Sequence, residues 1–150
     1  QGAHQQEFQE KFTEYSGVKH SFVVNNATAA LELSAQLCQF KGDDEVIIPA
    51  HTFTSTAYPF LKKGAKIVWA DIDMKTHVIT AQTIEQCITE KTKAIVGAHL
   101  YGYCADMPEI MMLAKKHELQ VIEDTAQALG TSTNNQMAGT FGDFGVFSFV

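Results

Sequence analysis

The sequence predicts an α/β fold, a mostly parallel sheet with flanking helices. Three observations point to it. Short apolar runs recur at Glu45-Val46-Ile47-Ile48, Lys66-Ile67-Val68-Trp69-Ala70, Ala94-Ile95-Val96-Gly97-Ala98 and Gln120-Val121-Ile122-Glu123-Asp124, each reading as a strand buried on both faces. Stretches with helical apolar spacing alternate with them. Polar, hydroxyl and aromatic side chains gather just past the ends of these runs, where parallel sheets collect ligands.

Composition sets the frame. Across 150 residues, 45% are hydrophobic and 19% charged, which suits a globular domain with a real core. A net charge of −6 without any Lys/Arg run excludes a nucleic-acid surface. Cys38, Cys87 and Cys104 lack C-x-x-C spacing and read as reduced, buried thiols of a cytoplasmic protein. No apolar run approaches the roughly 18 residues of a membrane span, and no signal peptide opens the chain. The sequence starts at Gln1 and stops at Val150, inside the apolar run 144–150. A cut there leaves strand pairing incomplete, so the expectation is an excerpt of a longer protein.

In chain order, Phe8, Phe12 and Tyr15 form an amphipathic stripe over residues 3–16, with Gly17 as a stop. Ser21-Phe22-Val23-Val24 is expected as a short strand. Asn26 then caps a helix running to about Phe40, with small residues following the cap. Its bare first-turn amides and the Thr28 hydroxyl suit a phosphate, although many such helices bind nothing. Pro49 closes the strand at 45–48, and residues 51–55 open a helix to about Lys63 that Gly64 ends. The strand at 66–70 follows, and Thr80 caps a helix carrying Ile84, Cys87 and Ile88. Asp106 and Glu109 make a capping box for a helix through His117. Lys115, Lys116 and His117 occupy its last turn, where the dipole favours cations, so they are structural. Residues 130–139 read as a hairpin turning at Asn134-Asn135, and 144–150 as a final strand.

Asp124 sits at a strand's carboxyl end, where an unmet carboxylate is costly. It either caps a following helix through backbone amides or meets a cation. Phe53 is either a wall for a planar ligand or ordinary packing. His51, His99 and Tyr101 either line the substrate side or pack. Together Asn26/Thr28, Phe53, His99/Tyr101, Asp124/Gln127 and Ser148 can converge on one crevice. A dinucleotide fold would need G-x-G-x-x-G before a helix; Gly139, Gly142 and Gly145 are three apart, but no helix follows them. The P-loop and zinc spacings are missing too. An anionic phosphate, a flat ring and a ring nitrogen paired with an Asp match pyridoxal phosphate best.

Five blocks then occur in order: Asn-Asn-Ala-Thr-Ala-Ala-Leu (25–31), Gly-Asp-Asp-Glu-Val-Ile-Ile-Pro-Ala-His-Thr-Phe (42–53), Thr-Lys-Ala-Ile-Val-Gly-Ala-His-Leu-Tyr-Gly (92–102), Val-Ile-Glu-Asp-Thr-Ala-Gln (121–127) and Gly-Asp-Phe-Gly-Val-Phe-Ser-Phe (142–149). Across essentially the whole chain they resemble the DegT/DnrJ/EryC1/StrS family of pyridoxal-phosphate-dependent sugar aminotransferases. The resemblance implies the aspartate aminotransferase-like, type I fold, with residues 1–150 as the N-terminal part of the cofactor-binding large domain. It implies a homodimer with active sites at the subunit interface, a nucleotide-linked keto-sugar substrate, and glutamate or glutamine as amino donor. By the same similarity, Ala27 and Thr28 hold the cofactor phosphate and Ser148 adds a hydroxyl. Phe53 stacks on the ring, Asp124 pairs with the pyridinium nitrogen, and Gln127 reaches the 3-hydroxyl oxygen. One departure is Asn26-Ala27-Thr28 in place of the commoner Ser-Gly-Thr. A second is that the family's Schiff-base lysine falls three places past Val150, so the segment alone is expected to be inactive. Two alternatives stay open: a dehydratase of the same family, with His at the lysine position, and a non-catalytic fragment acting in assembly.

Overall fold

In the computed structural model, which describes residues 2–149, the four apolar runs form β1 (Glu45–Pro49), β2 (Lys66–Ala70), β3 (Thr92–Ala98) and β4 (Gln120–Asp124). A hairpin of β5 (Ser132–Thr133) and β6 (Gln136–Met137) follows, then β7 (Phe144–Val146). The main sheet is five-stranded and parallel, in the order β2-β1-β3-β4-β7. The helices are α1 (Ala3–Ser16), α2 (Ala27–Leu37), α3 (Tyr58–Lys62), α4 (Ala81–Glu85) and α5 (Met107–Lys116).

Strand alternation distributes the core. On one face Val46, Ile48, Val96 and Ile122 pack with Leu31 and Ala35 of α2 and Phe60 of α3. On the other, Ile47, Ile95 and Val121 pack with Ile84 of α4 and Met107, Ile110 and Leu113 of α5. Adjacent residues such as Ile47 and Ile48 therefore serve opposite layers, each burial worth about 1.5–3 kcal/mol. The chain runs from β1 to β2 on one side and returns to β3 on the other. Connections leaving β1 and β3 thus diverge and open a crevice at the carboxyl edge.

Several boundaries differ from expectation. Residues 21–24 form no strand, and Phe22 is exposed. Their backbone is tied to α1 instead, through Val23 N–H to Gln9 Oε1 (2.9 Å) and Ser21 Oγ to the Gln9 carbonyl (2.9 Å). α2 ends at Leu37, short of Phe40, with Gln39 in a left-handed conformation (φ 53°). The helix expected after β1 splits into a 3-10 turn (Thr54–Thr56) and α3; Pro59, lacking an N–H, suits only a helix's first turn. α4 stops at Glu85, so Cys87 and Ile88 pack from beyond its end. Only the Asp106 half of the capping box on α5 forms, at 3.5 Å to the Glu109 amide.

Pairing of the last strand covers only 144–146, and Val150 lies outside the described residues. Beyond it Phe147 and Phe149 turn to α1, meeting Phe12 and Phe8 at ring separations of 5.0 and 5.1 Å. The hairpin does turn at Asn134 and Asn135, both at positive φ (51° and 61°), the type I′ requirement. Among the described residues no helix is long and apolar enough to cross a membrane, and the three cysteines are free.

Candidate active site

Asn26 has an extended backbone, and its side chain accepts the Ala29 amide at 2.8 Å, which starts α2. Its carbonyl accepts the Ala30 amide. Helix geometry leaves the Ala27 and Thr28 amides without an intrahelical carbonyl, aimed out of the helix end with its partial positive charge. Thr28 Oγ1 donates to Ser55 Oγ (3.0 Å), bridging this helix end to the loop after β1.

That loop is the run Thr52-Phe53-Thr54-Ser55-Thr56. A single 3-10 turn divides it: the Phe53 ring stands 66% exposed at the cleft, whereas Thr56 is fully buried. Thr56 Oγ1 donates to Asp124 Oδ2 at 2.7 Å, and the Ala126 amide donates to Asp124 Oδ1 at 3.2 Å. Asp124 is 8% exposed. No helix follows it, so the helix-capping alternative is not realised; its local bond is an Asx-type turn.

A cleft of about 220 Å³ unites these elements. Its lining includes Ala27, Thr28, Phe53, Asp124, Gln127 and Ser148, the six residues expected from the sequence to hold the cofactor. Asn26 and His99 join them, and Tyr101 does not. Tyr101 is exposed, its hydroxyl 3.5 Å from His51 Nε2, while His51 Nδ1 lies 3.4 Å from the His77 carbonyl.

Sequence reasoning missed Ser55, Thr56 and Glu123. The signal for the first two was four hydroxyl residues among positions 52–56. Glu123 faces away from Asp124 and is fully buried. Its Oε1 accepts the Phe141 and Gly142 amides at 2.6 and 2.8 Å, and its Oε2 accepts the Gly139 amide at 2.8 Å. His99 Nε2 lies 3.0 Å from the same Oε2, and His99 Nδ1 accepts the Ala105 amide at 3.1 Å. Burial depresses the His99 pKa, whereas Cys104 and Glu123 raise it, to about 9 overall. The Ala105 amide works against that shift: an Nδ1 that accepts a hydrogen bond carries no proton, so this contact favours the neutral ring with its proton on Nε2, directed at Glu123.

The donor set fits pyridoxal phosphate. Two free-facing helix amides and hydroxyls suit a phosphate, an exposed aromatic face suits a flat ring, and a fixed, mostly buried carboxylate suits a cationic nitrogen. Solved structures of the same architecture agree. The Helicobacter pylori aminotransferase PseC, of pseudoaminic acid biosynthesis, superposes with a TM-score of 0.94 at 36% identity, over 100% of this chain and 41% of that one. An Escherichia coli GDP-4-keto-6-deoxy-D-mannose-3-dehydratase with bound hydrated pyridoxal phosphate superposes with a TM-score of 0.92 at 28% identity, over 97% of this chain and 39% of that one. The fold is thus that of the type I pyridoxal-phosphate-dependent aminotransferases.

Sequence narrows the class. The DegT/DnrJ/EryC1/StrS aminotransferase family model matches residues 1–150, and the chain belongs to that family. It is 48% identical over 134 residues to UDP-N-acetyl-3-dehydro-α-D-glucosamine 3-aminotransferase of Acidithiobacillus ferrooxidans, covering 89% of this chain but 36% of that relative. The chain therefore spans well under half the length of the proteins it matches.

Proposed function

We propose that the full-length protein transfers an amino group from glutamate or glutamine to a nucleotide-linked keto-sugar, with pyridoxal phosphate as cofactor. Residues 1–150 are assigned to the N-terminal part of its large, cofactor-binding domain. One observation carries the reading: Asp124, held by Thr56 and Ala126, lines the same cleft as the N-terminus of α2.

The Ala27 and Thr28 amides and the Ser148 hydroxyl would bind the phosphate oxygens, while the Thr28 hydroxyl donates to Ser55 and ties the helix end to the loop after β1. Phe53 covers one face of the ring and keeps water from it. Asp124 holds a proton on the ring nitrogen, and Gln127 orients the 3-oxygen. Bound there, the cofactor supplies the electron sink for amino-group transfer. The carboxylate's hold on a cation is a charge-assisted bond worth roughly 1.5–3 kcal/mol, and more where charge develops in the transition state. The lysine expected three places past Val150 would anchor the cofactor and shuttle the proton, so catalysis is assigned to the chain that carries it.

The similarity to an enzyme named as a dehydratase motivates a second reading, with His in place of that lysine. The higher identity to a named aminotransferase, 48% against 28%, favours the first. Free thiols at Cys38, Cys87 and Cys104 are in keeping with a reducing, cytoplasmic setting. Exposed Leu33, Leu37, Tyr58 and Leu61 on α2 and α3 are in keeping with a homodimer.

The test is turnover of full-length Asp124→Ala with an amino donor and a nucleotide keto-sugar. Activity should fall at least about a hundredfold, with an unchanged circular dichroism spectrum. Wild-type turnover would remove the assignment.

A further inference from the structure

The carboxylate at the centre of the cleft does not stand alone, and its support has a direction. Asp124, as a carboxylate, can only accept, so the proton in the 2.7 Å contact belongs to Thr56. Thr56 has one hydroxyl proton, now spent. The 2.8 Å contact between Thr52 Oγ1 and Thr56 Oγ1, which either atom could donate in isolation, must therefore run from Thr52 to Thr56. A one-way chain results: Thr52 to Thr56 to Asp124 Oδ2. Such chains strengthen bond by bond, more so where water is absent, and Thr56 is fully buried.

We propose that Thr56, polarised by Thr52, is a positioning residue that keeps the Asp124 carboxylate turned to the cofactor's ring nitrogen and the shared proton on the ring. The inference rests on the assignment of Asp124 to that nitrogen. Thr56 occupies a lone pair of Oδ2, and the Ala126 amide fixes Oδ1 from the other side. A carboxylate so held has one orientation available. Thr56 is buried behind Asp124 and does not line the cleft, so it would act only through Asp124.

The experiment uses the full-length apoenzyme and two probes: pyridoxal phosphate and its 1-deaza analogue, in which carbon replaces the ring nitrogen. The quantity read is the ratio of their dissociation constants. In wild type the natural cofactor should bind at least about tenfold more tightly. Thr56→Val, matched in volume, should shrink that ratio severalfold, and Thr56→Ser should restore it. Thr52→Val, which removes the relay's first donor at a residue that also lines the cleft, should shrink it less and serves if Thr56→Val does not fold; a change in the cleft wall alone would weaken both probes alike and leave the ratio unmoved. A purely structural role would weaken both probes equally and leave the ratio at its wild-type value, and that result in the folded variants overturns the inference. A wild-type ratio near one would instead overturn the assignment of Asp124 itself, so the two failures are distinguishable.

Discussion

Glu123 and Asp124 are neighbours in β4, both carboxylates and both nearly devoid of solvent exposure, yet their surroundings differ. Glu123 is saturated: three backbone amides and the His99 ring converge on it. Asp124 has two donors and an open side on the cleft. The period of two along a strand sends them to opposite faces. What separates structure from function here is the count of donors. A filled carboxylate locks the chain, and one with capacity to spare awaits a cation.

The largest effect should come from the saturated member. Glu123→Ala deprives three amides and an imidazole N–H of their acceptor, the Gly139 amide and the imidazole being buried, and urea denaturation of the full-length protein should show at least about 3 kcal/mol of lost stability. A loss under about 1 kcal/mol would erase the distinction. Asp124→Asn should do the reverse: stability within about 1 kcal/mol of wild type, but transamination reduced about a hundredfold or more.

The loop that saturates Glu123 depends on close backbone approach, which gives a third test. A Cβ on Gly145 would lie 1.9 Å from the Gly139 carbonyl oxygen, and one on Gly139 would lie 2.2 Å from the Phe147 ring. Gly139 also has φ +86°. Gly145→Ala should therefore cost roughly 1–3 kcal/mol, with a thermal melt as readout; an unshifted melt would mean the loop is slack.

The smallest effect concerns Cys38, buried in the core cluster with Leu31 and Ala35. Burial pushes its thiol up to about 11. Between pH 9 and 11 the unfolded thiol ionises while the buried one stays neutral, so this contribution is full below pH 9 and lost as pH rises through 11. Iodoacetamide at pH 8 should label native Cys38 at least about tenfold more slowly than in urea. Equal rates would show that its pocket is open.

The apolar runs made the sheet legible, because a strand buried on both faces leaves little room for polar residues. The cleft was legible for the same topological reason: every parallel strand delivers its next residues to one edge. Residues 21–24 misled, since Phe22-Val23-Val24 has strand composition but no sheet neighbour, and Gln9 takes its hydrogen bonds. Thr56 was hidden because its role lies 68 residues away in sequence. The spacing of Gly139, Gly142 and Gly145 had no local meaning; it became intelligible only once their backbone was seen against β4 and β7.

The central claim is that Asp124 faces a protonated ring nitrogen. Its most direct measurement is the preference for pyridoxal phosphate over the 1-deaza analogue, compared between full-length wild type and Asp124→Ala. A preference of about ten- to a hundredfold in wild type, abolished in the variant, is the expected result. An equal preference in both proteins would contradict it.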